Sequence, residues 1–169
     1  NVLHFAPERI LAEKISNARP ARYIKADLLP AAADITREDI TKLSFADCTF
    51  YLVIANHILE HVVDDRAAMR EIFRVLKPGG LAVLQTPYSD KLTNTFEDEG
   101  IRDDEARLQA FGQEDHVRLY GKDLFSRLGS VGFVSKVLRH DVALKKYGES
   151  FYGVNRREPF ICMTRPAGV

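Results

Sequence analysis

The sequence predicts an α/β domain built on a doubly wound, mostly parallel sheet. Three observations carry this. From the start of the chain to about residue 87, short apolar runs alternate with stretches of helical spacing, as successive strand–helix–strand crossovers require. One run, Phe50-Tyr51-Leu52-Val53-Ile54-Ala55, is continuously apolar, as a central strand covered on both faces must be. Near the end, Val134 to Arg139 and Phe160 to Thr164 are apolar runs joined by turn-rich residues, which predicts an antiparallel pair.

Val2 to Phe5 is the first strand. Pro7 stands where a helix can begin without losing a needed N–H, and Ile10, Leu11, Lys14 and Ile15 follow at helical spacing around one face. Ala21 to Ala26 is a second strand ending at Asp27, and Arg37 to Ile40 a short third strand ending near Asp39. A helix opens at Asp64 or Asp65, with acid in its first turn. Ala67, Met69, Ile72, Phe73, Val75 and Leu76 form its buried side. Lys77-Pro78-Gly79-Gly80 stops it, and Leu81 to Thr86 is the fifth strand. Tyr88 to Tyr120 is polar, rich in Asp, Glu and Arg, and longer than a connection needs to be. Gly121 to Leu128 is a helix closed by Gly129 or Gly132.

The 169 residues fit one domain, covering 1–169. The chain opens directly on a strand, where a doubly wound domain usually has a preceding helix, so an N-terminal segment is expected to be missing. Acidic and basic residues balance at 24 each, which excludes a bulk electrostatic nucleic-acid binder. No apolar run approaches a membrane span and no signal segment opens the chain, so a cytoplasmic, soluble protein is expected. Cys48 and Cys162 read as buried thiols of a reducing compartment.

The run from Asp39 to Val62, ending in Leu59-Glu60-His61-Val62, and the run Arg74-Val75-Leu76-Lys77-Pro78-Gly79-Gly80 resemble the class I S-adenosylmethionine-dependent methyltransferases, type 11-like. The resemblance holds in register from residue 1 to about residue 87, and the tail fits the family's ending. It implies a Rossmann-like sheet of order 3-2-1-4-5-7-6 with strand 7 antiparallel. It also implies S-adenosylmethionine lying across the carboxyl ends of strands one, two and four, the switch-point position. The chain departs from the pattern after strand one, where the family's glycines fall on Ala6, Glu8 and Ile10. A smaller branch is similar in carrying Leu3-His4-Phe5-Ala6-Pro7-Glu8 there and, much later, a run like that from Phe111 to Gly121 with Asp115, His116, Val117, Arg118 and Tyr120. A second departure is Tyr51, where the family has Asp.

The expected cofactor residues are Phe5, Ala6, Pro7, Glu8, Asp27, Asp39, Asn56 and His57. Asp27 ends strand two and can accept from both ribose hydroxyls, or be a solvated turn residue. Asp39 can accept from the adenine amino group, or cap a turn. Glu8 can face the methionine amino group, or simply favour a helix start. Asn56 and His57 follow the central strand and line the crevice of any such sheet. In the long polar segment, His116 is a candidate general base beside His57, and Asp115, Arg118 and Tyr120 are candidate contacts to a small-molecule substrate. An internally salt-bridged loop is the competing account. The segment is expected to close over the site and exclude water.

His57-Ile58-Leu59-Glu60-His61 also spells H-x-x-E-H, a metallopeptidase pattern that needs a long helix and a further ligand. Directly after a central strand, His57 is expected in a turn, so no metal is expected to be needed. A milder version, similar to some methyltransferases of this class, keeps Glu60 and His61 as holders of a divalent ion. Two other readings stand beside the enzyme. One is a non-catalytic Rossmann-like domain that has lost cofactor binding. The other is a dinucleotide enzyme, which would need a G-x-G-x-x-G turn the chain lacks. Acceptor atom and oligomeric state stay open.

Overall fold

The computed structural model describes residues 1–136 and 159–168. Its elements are β1 (Val2–Phe5), α1 (Arg9–Asn17), β2 (Tyr23–Asp27), β3 (Ile35–Arg37), β4 (Phe50–Ile54), α2 (Asp65–Val75), β5 (Leu76–Val83), β6 (Phe96–Glu97), α3 (Asp104–Phe111), β7 (Arg118–Leu119), α4 (Leu124–Val131), β8 (Val134–Ser135) and β9 (Cys162–Thr164). The main sheet runs β3-β2-β1-β4-β5-β9-β8. β1 to β5 pair in parallel, and β9 lies antiparallel to both β5 and β8. With β8 and β9 as sixth and seventh sheet strands, this is the expected 3-2-1-4-5-7-6 order.

β4 sits in the middle because Phe50, Val53 and Ile54 leave almost no surface to water. Tyr51 is the exception, exposed and covered on its ring by the Lys77 ammonium. α2 packs beneath through Ala68, Met69, Ile72 and Val75, all fully buried. The larger of these side chains contribute roughly 1.5–3 kcal/mol each. Asp64 caps the helix by accepting from the Ala67 N–H at 2.8 Å.

Several boundaries differ from the sequence expectation. Lys77 to Gly80 do not form a separate loop; Leu76 leads straight into β5. Leu76 pairs with Phe50 and Leu81 with Leu52, so residues 77–80 bulge out of the ladder. Gly79 takes φ 78°, and a Cβ on Gly80 would lie 2.8 Å from the Lys77 carbonyl oxygen, so the two glycines serve the bulge. The third strand lies earlier than expected, at Ile35–Arg37, because Asp39 turns the chain instead of extending it. Helix α1 starts after Pro7 and buries no residue fully, and Ile10 is exposed. α4 begins at Leu124 and is closed by Gly132 at φ 111°. Cys48 and Cys162 are free thiols, and Cys48 is only partly buried. The expected strand from Val134 is seen as Val134–Ser135; its remainder beyond residue 136 lies outside the described residues.

The polar stretch 88–120 is structured. β6 and β7 pair antiparallel, with α3 between them. α3 shows no apolar stripe and buries only Phe111, which is why its helical period was not legible.

Candidate active site at the carboxyl edge of the sheet

The carboxyl ends of β1, β2 and β4, with the turn after β3, enclose a cavity of about 770 Å³. Six of the expected residues line it: Phe5, Ala6, Asp27, Asp39, His57 and Asp115. His61, Ile58, Val62 and Val63 form much of the wall after β4. The volume falls within the range of ordinary ligand sites.

The turn after β1 does without glycine in an unexpected way. Ala6 takes φ 42°, the left-handed conformation a glycine would adopt, and its N–H bonds to the Ala26 carbonyl at 2.9 Å. Glu8 then ties the turn down: one carboxylate oxygen lies 2.6 Å from His4 Nε2 and the other accepts from Asn56 Nδ2 at 3.0 Å. His4, fully buried in β1, bonds through Nδ1 to the Tyr23 hydroxyl at 2.8 Å. Burial alone would push the Glu8 carboxyl up, but the hydrogen bonds from Asn56, its own backbone and His4 together hold it below the usual carboxylate range. Burial pulls the His4 imidazole down despite the opposing Glu8, and pushes the Tyr23 phenol up to about 12. Both Glu8 oxygens are thus engaged within the protein, and Glu8 is not among the residues of the cavity wall. Pro7 lies outside the cavity wall and shapes the turn. His4 was the residue the sequence reading passed over; its signal was a His inside an apolar strand, four residues before a Glu.

Asp27 closes β2. Its Oδ1 accepts from the Leu29 N–H at 2.9 Å, and Oδ2 holds no hydrogen bond among the described residues. Asp39 stands similarly, with Oδ1 receiving both the Thr41 N–H and the Thr41 hydroxyl; those bonds hold its carboxyl below the usual range. Both carboxylates therefore are turn residues and cavity residues at once. After β4, Asn56 donates to Glu8, and its Oδ1 is buried without a hydrogen-bond partner among the described residues. His57 takes φ 52° in a turn, and its ring is largely exposed. Residues 57–61 form turns and not a helix, so the metallopeptidase pattern lacks the helix it needs.

The long segment divides. Asp115 reaches the cavity wall and sits 3.2 Å from His61 Nδ1. His116 is buried behind it, its Nδ1 3.3 Å from the Phe111 carbonyl oxygen and its ring edge-on to His61 at 4.7 Å. Arg118 and Tyr120 are not on the wall of this cavity. The Arg118 guanidinium donates to the carbonyls of Leu59, Val62 and Val63 and to Glu97. Tyr120 is fully buried, with its hydroxyl donating to Asp65 at 2.8 Å. Burial, reinforced by Asp65, pushes its phenol far up and keeps it a neutral donor. Arg127 joins Asp65, Glu97 and Asp123 in the same network, which anchors β6 and β7 to α2 and α4. The sequence reading also undervalued Glu60. It is fully buried, accepting from the Thr86 hydroxyl at 2.8 Å and lying 3.3 Å from His57 Nδ1.

Residues 6–84 match a family model described as a methyltransferase domain. Over 86 residues, half of this chain, the sequence is 33% identical to the chloroplastic 2-phytyl-1,4-beta-naphthoquinone methyltransferase of Arabidopsis thaliana. The matched stretch spans 33% of that relative's length. The fold is similar to the S-adenosylmethionine-dependent methyltransferase from Mesorhizobium loti, with a TM-score of 0.66 at 16% identity, covering 98% of this chain and 90% of that one. It is also similar to the Burkholderia thailandensis 1,6-didemethyltoxoflavin-N1-methyltransferase with bound 1,6-didemethyltoxoflavin and S-adenosylhomocysteine, with a TM-score of 0.63 at 14% identity, covering 98% of this chain and 71% of that one.

Proposed function

We propose, from the premise that this chain belongs to the class I, type 11-like methyltransferases, that it transfers a methyl group from S-adenosylmethionine to a small-molecule acceptor. The observation that carries this is the pair Asp27 and Asp39, each with a carboxylate oxygen unspent, on one cavity at the switch point of the sheet. The residues present fit the cofactor. Asp27 would accept from ribose hydroxyls and Asp39 from the adenine amino group. The unpartnered Asn56 Oδ1 calls for a donor beside the β1 turn, a role suited to the methionine amino group in place of Glu8. When bound, the cofactor supplies a methyl group on an electrophilic sulfonium.

The chain's own task is then orientation and exclusion of water. His57, exposed on the cavity wall, is the group we assign to take a proton from the acceptor; His116, buried and outside the wall, is not. Similarity to the Arabidopsis enzyme supports a quinone-type ring as acceptor, and the apolar wall of Ile58, Val62 and Val63 suits such a ring. No helix among the described residues is long and apolar enough to cross a membrane, and we place the activity in the cytoplasm on small molecules, without nucleic acid.

Calorimetric titration with S-adenosylhomocysteine tests the proposal. Asp27→Ala should weaken binding by ~1–3 kcal/mol, the cost of leaving polar partners unmade. An unchanged dissociation constant removes Asp27 from the site, and absence of binding to the wild type favours a non-catalytic domain. His57→Gln should lower kcat while leaving this affinity in place.

A further inference from the structure

We infer that Glu60, His61 and His116 form a binding site for one divalent transition-metal ion of the Zn²⁺ type, set behind the cavity wall. Each offers a donor atom, and the three donors lie within 4.8 Å of one another. Two histidines and one carboxylate are a donor set for borderline transition ions; Mg²⁺ and Ca²⁺ select oxygen.

The surroundings are arranged as a metal site requires. His116 Nδ1 faces the Phe111 carbonyl oxygen at 3.3 Å, and His61 Nδ1 faces the Asp115 carboxylate at 3.2 Å. A ring that donates its Nδ1–H to such an oxygen is fixed in the tautomer that leaves the Nε2 lone pair for a metal. Nε2 of neither ring makes a hydrogen bond among the described residues. Glu60 is fully buried, yet among the described residues its carboxylate meets only the Thr86 hydroxyl and the His57 ring, with no Lys or Arg. A buried carboxylate is ordinarily paired with a cation or bound to a metal. The two runs are also held together by backbone, since the Val117 N–H donates to the Glu60 carbonyl at 2.9 Å.

Metal bonds of about 2.0–2.2 Å place tetrahedral donors roughly 3.3 Å apart, so an ion would draw together donors that lie within 4.8 Å of one another. His61, partly exposed, is the arm free to move. His61 and Asp115 line the cavity, which gives the ion its path of entry and directs an open coordination position toward an acceptor's oxygen. That last role rests on the proposed methyl transfer; the binding of the ion does not. The H-x-x-E-H spacing offers His57 and His61 as metal ligands on one helix face. The fold puts His57 in a left-handed turn and supplies His116 from the long segment instead.

The test uses untagged full-length chain, stripped with a chelator and free of nucleoside. Zn²⁺ is titrated by calorimetry and Co²⁺ by its visible absorption. One ion per chain is expected. His61→Gln and His116→Gln should each weaken binding by roughly 100-fold through loss of one of three protein bonds, and Asp115→Asn by about 10-fold through the ring it orients. If His116→Gln fails to fold, the partly exposed His61→Gln carries the same comparison. Affinity unchanged in the histidine variants, or no binding by the wild type, overturns the assignment. Because S-adenosylhomocysteine is titrated separately, loss of the metal site and loss of the methyl-transfer reading give different results.

Discussion

The two halves of the carboxyl edge spend their polar groups differently. On the β1–β4 side, Asp27 and Asp39 line the cavity and each use one carboxylate oxygen to hold a turn, the other making no hydrogen bond among the described residues. On the side of residues 88–120, Arg118, Tyr120 and Glu97 give their hydrogen bonds to their own chain. Charged residues in a long loop are therefore poor guides to a ligand until their partners are known. At the strand-end turns, Asp27 and Asp39 engage a single carboxylate oxygen, whereas Glu8 and Glu38 spend both.

This contrast can be broken most forcefully at Arg118. Arg118→Ala removes one of the two arginines on Glu97 and the guanidinium donor of the Val62 and Val63 carbonyls, and should cost about 3 kcal/mol of stability, read as a lowered urea midpoint. If stability is unchanged and only the KM for the acceptor rises, Arg118 belongs to the substrate side after all. Tyr120→Phe removes a single buried hydroxyl from Asp65 and should cost roughly 1–2 kcal/mol; a variant as stable as wild type would show that the Asp65–Tyr120 bond is not holding the segment.

A smaller effect separates the two sides by pH. His4 has a depressed folded pKa, so its contribution is complete above its ordinary value of 6.5 and is lost as pH falls through the folded value. Glu8 is also depressed, so its contribution is present above its ordinary 4.5 and is lost as pH falls through its own lowered value. Urea midpoints should thus decline in two stages on acidification. Glu8→Gln removes the lower stage and, because Glu8 raises the His4 pKa, deepens the upper one. A single stage, unaltered by the substitution, would dissociate the β1 turn from acid stability.

The alternation of β and α was legible because burial imposes it on the sequence: β4 must be apolar on both faces and α2 along one, and both patterns survive in single residues such as Val53 and Ile72. The third strand was misplaced because Asp39 prefers its own Thr41 N–H to a ladder bond. Asp27, Asp39 and His57 were legible at the cavity because position after a strand suffices to put them there. The fates of Tyr120 and His116 were not, since their partners are tertiary: the Tyr120 hydroxyl meets Asp65 from 55 residues away, and no local spacing records that.

The brace of Glu8 between His4 and Asn56 has a thermodynamic consequence. A glycine-rich turn reaches a nucleoside by conformational freedom, and that freedom is surrendered when the ligand arrives. Here the turn is held at left-handed Ala6 by bonds within the protein itself. Association at this edge should therefore carry a smaller entropic penalty than in a relative with three glycines, and Glu8→Gln should restore that penalty.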